Sequence, residues 1–383
     1  MNICEQFNIC GGCKYQDLPY SDQLTLKESE ILKLFDDKKL KFSEYLGIVG
    51  STRINGYRNK MEYTFGDMIK DGEMTLGMHK RGSFMSIVTV DKCQLVDQDF
   101  NVILSASLNY LTDKNYSFYH KKLHKGLLRN LIIRKGEKTG ELLVNIVTTS
   151  DEFDEKAFAD MILNLKLENK VVGILRTINN SLADFVYCEE LIILYGRDFY
   201  YEEILGLKFK VSAFSFFQTN IYTIEKLYET AISFIDDVSG KVVYDLYSGT
   251  GTIAQILSTK AKDAIGVEII EEAVSSAKAN AELNGLTNCH FVCGDVLKVL
   301  DNNLEHPDVI VIDPPRVGVH PKALTKILNY GVNQILYISC NYKSLADNLA
   351  QMTDFGYEIK KFQIFDNFPH TKHSECVALL QLK

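Results

Sequence analysis

The sequence predicts an α/β protein in three parts: an N-terminal cysteine cluster with a helix, a mostly β central region, and a C-terminal Rossmann-like sheet. Three observations carry this reading. From about residue 206 onward, short apolar runs alternate with helical stretches, the pattern of βα units around a parallel sheet. Residues 41–205 hold closely spaced strand-like runs bounded by Gly and Asp turns. Cys4, Cys10 and Cys13 crowd into the first part. The expected boundaries are 1–40, 41–205 and 206–383.

Composition narrows the class. A chain of 383 residues suits about two to three domains. With 46% apolar and 24% charged residues it is neither a disordered tail nor a collagen-like or coiled-coil rod. No run approaches the ~20 apolar residues of a membrane span. The start, Met1-Asn2-Ile3-Cys4-Glu5, has no basic region leading into an apolar run, so no signal peptide is expected and the expected location is cytoplasmic.

The first part contains C-x5-C-x2-C around a Gly11-Gly12 turn, followed by the helical pattern Leu24, Leu26, Ile31, Leu32, Leu34 and Phe35, which stops at Asp36-Asp37-Lys38-Lys39. Nine cysteines in a cytosolic chain point to metal or catalysis in preference to disulfides. Cys93, in the polar stretch Asp91-Lys92-Cys93-Gln94, is the natural fourth partner. Four thiolates suit zinc, but structural zinc usually draws on two close pairs. Three close cysteines and one remote resemble iron–sulfur ligation, so the spacing favours that and leaves zinc open. Three free thiols are the plain alternative. Cys188, Cys289, Cys293 and Cys376 lie in apolar contexts and read as core.

In the central part, strands are predicted at Lys60–Phe65, Ser86–Val90, Leu131–Arg134, Leu142–Thr148 and Val171–Leu175, with helices near 95–111 and 153–166. A net charge of −8 argues against a nucleic-acid partner. One segment departs from it. Lys114, Lys121, Lys122, Lys125, Arg129, Arg134, Lys135 and Lys138 face only Asp113 and Glu137, among His120, His124, Tyr116, Phe118 and Tyr119. Cations mixed with aromatics pair phosphates and stack bases; a solvated loop is the other reading.

The C-terminal part carries the chemistry. The strand Val242–Tyr244 leads through Asp245-Leu246-Tyr247-Ser248-Gly249-Thr250-Gly251-Thr252 into the helix Ile253–Ser258. Glycines at such a turn let backbone N–H groups approach a ligand. The strand Ala264–Val267 ends in Glu268, where a carboxylate accepts both hydroxyls of a ribose. Gly249-x-Gly251-x-x-Ala254 formally fits a dinucleotide fingerprint. Two carboxylates favour S-adenosylmethionine instead. Asp245, expected inside the loop, suits an ammonium and opposes a pyrophosphate; Asp295, after the strand His290–Cys293, is placed to accept an adenine amino group.

The strand Val309–Ile312 ends in Asp313-Pro314-Pro315-Arg316, and Ile335–Ile338 ends in Ser339-Cys340-Asn341. Asp-Pro-Pro also occurs in enzymes that methylate the adenine amino group, a rival reading in which no thiol is needed. A thiol at the strand tip suits methylation at carbon. A thiolate adding to uracil C6 pushes charge to C5, which can then attack a methyl group. The C5 proton must next be removed by a base. Glu375, ahead of the closing strand Cys376–Leu380, is the candidate. A packed cysteine and a solvated glutamate are the bland readings of each residue alone, and a protein that only binds RNA is a further rival.

These motifs together resemble the RNA uracil-C5 methyltransferases that make 5-methyluridine. The matching pieces are Phe214-Ser215-Phe216-Phe217-Gln218-Thr219-Asn220, the Asp245–Gly251 loop, Asp313-Pro314-Pro315-Arg316, Ser339-Cys340-Asn341, His370–Glu375 and Tyr57-Arg58-Asn59-Lys60. The resemblance implies a class I methyltransferase sheet and an S-adenosylmethionine-dependent enzyme. It implies Cys340 as nucleophile and Glu375 as base, with Gln218, Tyr247, Thr252, Glu268, Asp295 and Asp313 at the cofactor, and Asp313 and Gln218 also near the base. Cys4, Cys10, Cys13 and Cys93 resemble the 4Fe-4S site of the bacterial ribosomal members. That tilts the expected substrate to 23S rRNA, with tRNA as the alternative, and leaves RNA binding to the central domain. Tyr342 stands where the family has proline and is expected to change the local turn. The chain starts almost at the cluster, so the form expected is the one without an N-terminal TRAM domain.

Overall fold

The computed structural model describes residues 3–300 and 305–383. They form two compact units. One is built from residues up to Asp17 with Arg53–Glu203 and Lys210–Phe214, the other from Leu18–Thr52, Ile204–Phe209 and Ser215–Lys383.

The first unit is a seven-stranded sheet in the order Ile87–Thr89, Met74–His79, Lys60–Asp67, Leu128–Gly136, Glu141–Thr148, Lys170–Ile178, Glu190–Gly196. Neighbours are antiparallel except Glu141–Thr148 and Lys170–Ile178, which run parallel because the helix Glu155–Leu163 crosses between them. Alternation sends Leu131 and Ile133, and Val144 and Ile146, to one face, where Phe100, Ile103, Leu104 and Leu111 of the helix Gln98–Asp113 meet them. Asp97 starts that helix by accepting the N–H of Asp99.

The basic segment 111–140 is only partly a surface. Arg129, Arg134 and Lys135 are buried. Arg129 donates to the carbonyls of Asn179, Ser181 and Ala183 at 3.0, 2.7 and 2.6 Å and lies over the ring of Tyr119. Lys135 pairs with Asp97 at 2.6 Å and Glu137 at 3.3 Å. Lys122, Lys125, His124 and Lys114 remain exposed.

The second unit is an eight-stranded sheet in the order Phe42–Val49, Tyr357–Phe365, Glu375–Leu382, Gln334–Ser339, Val309–Ile312, Val242–Leu246, Asp263–Glu268, Cys289–Cys293. Every pairing is parallel except the two made by Glu375–Leu382, which runs against both neighbours. Its central strands Val242–Leu246, Val309–Ile312 and Gln334–Ser339 are buried along their whole length, covered on both faces, and Val309–Ile312 is apolar throughout. The helix Tyr20–Asp37 buries Ile31 and Phe35 in this unit, Phe35 with its ring centroid 4.7 Å from that of Phe362. The expected boundaries at 40/41 and 205/206 therefore do not coincide with the compact units. The apolar stripe of this helix is legible in sequence, but the surface that receives it is not. No helix among the described residues is long and apolar enough to cross a membrane.

Candidate active site

The parallel strands Val242–Leu246, Asp263–Glu268, Val309–Ile312 and Gln334–Ser339 pair in register and end at one edge of the sheet. The glycine turn, Glu268, Asp313 and Cys340 follow from those ends. Glu375 joins them because its strand is reversed, so its start lies where its neighbour ends: Ser339 pairs with Cys376. Cys340 and Glu375 are each one step from that pair, at the same edge.

The turn is strained and open. Tyr247 (φ 66°), Gly249 (φ 53°) and Gly251 (φ 76°) are left-handed; for a tyrosine this costs about 1–3 kcal/mol and persists only when the surroundings hold it. A Cβ on Gly251 would meet the Phe291 ring at 2.4 Å, whereas one on Gly249 would meet nothing within 4 Å, so the space over Gly249 is a cradle. Asp245 lies in the strand, one residue inside its end, and not in the loop as expected. Its Oδ2 accepts the Ala254 N–H at 2.9 Å, while Oδ1 is buried with no protein partner, as is Ser248 Oγ. Burial, then the charges of Asp313 and Glu268, push the Asp245 carboxyl well above the usual range against the pull of the Ala254 N–H. A buried carboxylate with an idle oxygen among other carboxylates suits a cation.

Glu268 accepts the Gly249 N–H at 3.0 Å and those of Ile269 and Ile270 at 2.9 Å, which holds it rigidly at the strand tip. Asp295 caps the short helix Val296–Val299 through the Leu297 N–H at 2.8 Å. Burial and then Asp295 push the Tyr247 hydroxyl up to about 12. Thr252 is buried at the first position of its helix. Gln218 donates to the hydroxyl of Tyr228 at 3.1 Å. Tyr228 itself is buried, and burial, then Asp313, with Glu375 and Asp245 further on, push its hydroxyl well up. The carboxylates and Tyr228 therefore share one neighbourhood, and the donor set fits a cationic nucleoside such as S-adenosylmethionine.

Around the thiol, burial comes first and then the charges of Glu375 and Asp313, lifting Cys340 to about 11; Arg316 opposes by charge and by a hydrogen bond. Glu375 is 5% exposed. Burial and Asp313 raise it well above the carboxylate range, while Arg316 and the Asn367 side chain lower it. Asn341 caps the helix Tyr342–Phe355 through the Lys343 N–H and donates to the Arg316 carbonyl at 2.8 Å. Tyr342 is thus the first helical residue, a position that accepts proline and other residues alike. Tyr228 and Asn367 escape the sequence analysis, and Arg316 enters it only as the end of a motif, with no role. A cation directly after Asp313-Pro314-Pro315 was the one available signal.

Binding of S-adenosylmethionine is expected to release protons near neutral pH. Burial holds Asp313 up at about 7. A cation beside it favours the charged form, its pKa falls, and a proton leaves. Affinity then rises as pH increases through about 7. Titration calorimetry in two buffers of different ionisation enthalpy measures this; proton uptake would put the cation elsewhere.

The four N-terminal-type cysteines lie in the first unit. Burial, then Cys93, Cys10 and Cys4, push Cys13 up to about 12. Burial, with Cys10 and Cys4 contributing, puts Cys93 at about 11, against the Leu95 N–H and Arg58. All four sulfurs therefore feel one another. Among the described residues, however, no three His, Cys, Asp or Glu side chains are gathered as ligands around one point, so a formed metal site is not seen. Of the other cysteines, Cys289 and Cys376 are buried as expected, but Cys293 is exposed and Cys188 half-buried.

Known proteins resemble the whole chain. The family model of tRNA (Uracil-5-)-methyltransferase matches residues 19–383. An uncharacterized RNA methyltransferase of Clostridium acetobutylicum is 49% identical over 99% of this chain and 84% of its own length. One from Caldanaerobacter subterraneus is 50% identical with the same coverage. The crystal structure of Pyrococcus abyssi tRNA (uracil-54, C5)-methyltransferase with S-adenosyl-L-homocysteine matches 97% of this chain and 86% of that one, at a TM-score of 0.78 and 26% identity. The chain therefore belongs to the tRNA (uracil-5-)-methyltransferase family and is an RNA methyltransferase that uses S-adenosylmethionine.

Proposed function

We propose that this enzyme methylates C5 of a specific uridine in 23S rRNA through a covalent Cys340–C6 adduct that Glu375 resolves. The observation that carries the reading is the common sheet edge of Cys340, Glu375 and the turn after Asp245. The target uridine leaves its stack, since C5 and C6 are covered inside a helix. Phe216, 71% exposed two residues before Gln218, offers a face for the extruded base. Arg316 favours the Cys340 thiolate, which adds to C6 and leaves the electron pair at C5 and O4. The bound donor supplies an electrophilic methyl group to C5. Glu375 then takes the C5 proton, and the freed C–H pair restores the C5–C6 double bond as sulfur departs with its own pair. Gln218, Tyr247, Thr252, Glu268, Asp295 and Asp313 would hold the donor, with the idle Asp245 oxygen facing its ammonium.

RNA is gripped in this reading by the first unit. Its exposed tip at Lys122 and Lys125 and the exposed rings of Phe185 and Tyr187 supply charge and stacking surfaces. Cys4, Cys10, Cys13 and Cys93 would hold a 4Fe-4S cluster, structural or RNA-facing, with no part in methyl transfer. The support is their spacing in the sequence, three close cysteines and one remote. Anaerobic purification should give a brown protein with about four irons per chain; a colourless zinc protein would remove the cluster.

A tRNA substrate is the second reading, favoured by the printed activity of the Pyrococcus abyssi enzyme. Nucleoside mapping of ribosomal and transfer RNA, from cells with and without the protein, separates them. We expect loss of 5-methyluridine from 23S rRNA. Loss from tRNA alone would replace the substrate, and loss of a methylated adenine would replace the reaction.

A further inference from the structure

The segment Asp366–Ser374, which leads into Glu375, is held by two buried side chains of the helix Tyr20–Asp37. Gln23 and Lys27 are one turn apart on one face. Lys27 Nζ donates to Asp366 Oδ1 at 2.6 Å, to the Phe368 carbonyl at 3.1 Å and to the His373 carbonyl at 3.0 Å. All three of its protons are used, and its side chain is 1% exposed against 0% for Asp366. Gln23 accepts the His370 N–H at 3.0 Å, and its Nε2 lies 3.1 Å from His370 Nδ1 and 3.0 Å from the Leu18 carbonyl. His370 has φ 67°, a left-handed conformation that a non-glycine residue keeps only under such restraint.

Stability does not account for this arrangement. Burying an ammonium and a carboxylate is costly, and apolar residues of similar volume would often hold the fold as well. What the pair does supply is direction: three bonds reach backbone or side chain at 366, 368 and 373, so little freedom is left before Glu375. The register runs straight through, since Phe365 pairs with Glu375 across the two strands.

We propose that Gln23 and Lys27 are positioning residues that aim the Glu375 carboxylate at the proton it removes. The inference rests on the reading of Glu375 as the base. Cys340 follows a different strand, Gln334–Ser339, so loosening the segment slows elimination more than attack. The test uses the full-length enzyme with a transcript that the wild type methylates, scoring turnover and the RNA–protein adduct on denaturing gels. For Lys27→Met we expect turnover to fall about 10- to 100-fold while the steady-state fraction of enzyme in adduct rises above wild type. Gln23→Leu should behave alike and serves if Lys27→Met does not fold. Adduct and turnover falling in parallel, or both staying at wild-type values, would overturn the proposal. Wild-type enzyme with 5-fluorouridine transcript, which has no C5 proton to remove, checks the covalent route, and Glu375→Gln on the natural transcript checks the base. A trapped adduct in both upholds the reading of Glu375, and absence of an adduct in either refutes it together with the positioning role.

Discussion

Glu375→Gln enzyme will accumulate a covalent complex with its RNA while turnover falls roughly 100- to 10,000-fold, the range for loss of a general base. The substitution keeps shape and removes the acceptor. Attack by Cys340 and methyl transfer precede the base in the sequence of events, so both still occur. The ring then carries a methyl group and a proton on C5 and sulfur on C6, with no route back to a double bond. Denaturing gels detect the complex, and mass spectrometry of its digest should find the methyl group already installed. An unmethylated adduct would place Glu375 before transfer, and unchanged turnover with no adduct would take the role from it. Because Glu375 is buried beside Asp313 and its carboxyl is raised, the wild-type rate should also increase with pH as the charged form is populated.

Cys340→Ala should lose methylation by roughly ten-thousand-fold or more, as when a covalent nucleophile is removed from a unit that acts together. Without sulfur at C6 there is no charge at C5 to take the methyl group. The half-buried cysteine makes little core, so the fold should survive, and S-adenosylmethionine should still bind. Product formation by mass spectrometry, with donor binding by calorimetry, separates chemistry from folding. Retained activity would point to methylation of an amino group, the chemistry for which Asp313-Pro314-Pro315 alone suffices.

The strands that end at the candidate site are legible because a strand buried on both faces is written as a mostly apolar run, and the residues that follow such runs are few. Val309–Ile312 was read to the residue, and Gln334–Ser339 to within one at each end. The cofactor turn showed itself in its glycines. Partners that come from elsewhere in the chain did not. Nothing in Ile221–Phe234 marks Tyr228 as the partner of Gln218 within the electrostatic reach of three carboxylates, because a tyrosine on an amphipathic helix looks like core. The basic segment misled for a related reason: charge counted along the chain does not distinguish a cation in water from Arg129, whose protons go to three carbonyls. The helix Tyr20–Asp37 was found, but its place in the second unit was not.

That placement bears on any attempt to dissect the enzyme. The strand Phe42–Val49 occupies the outer side of Tyr357–Phe365. A fragment cut at residue 206 would bare a long row of unpaired backbone groups there, an invitation to self-association. It would also strand Asp366 in the interior without its counter-ion. The catalytic half cannot be excised at a single cut. A soluble minimal version needs residues 18–52 restored, either by fusion or as a separate peptide added during refolding.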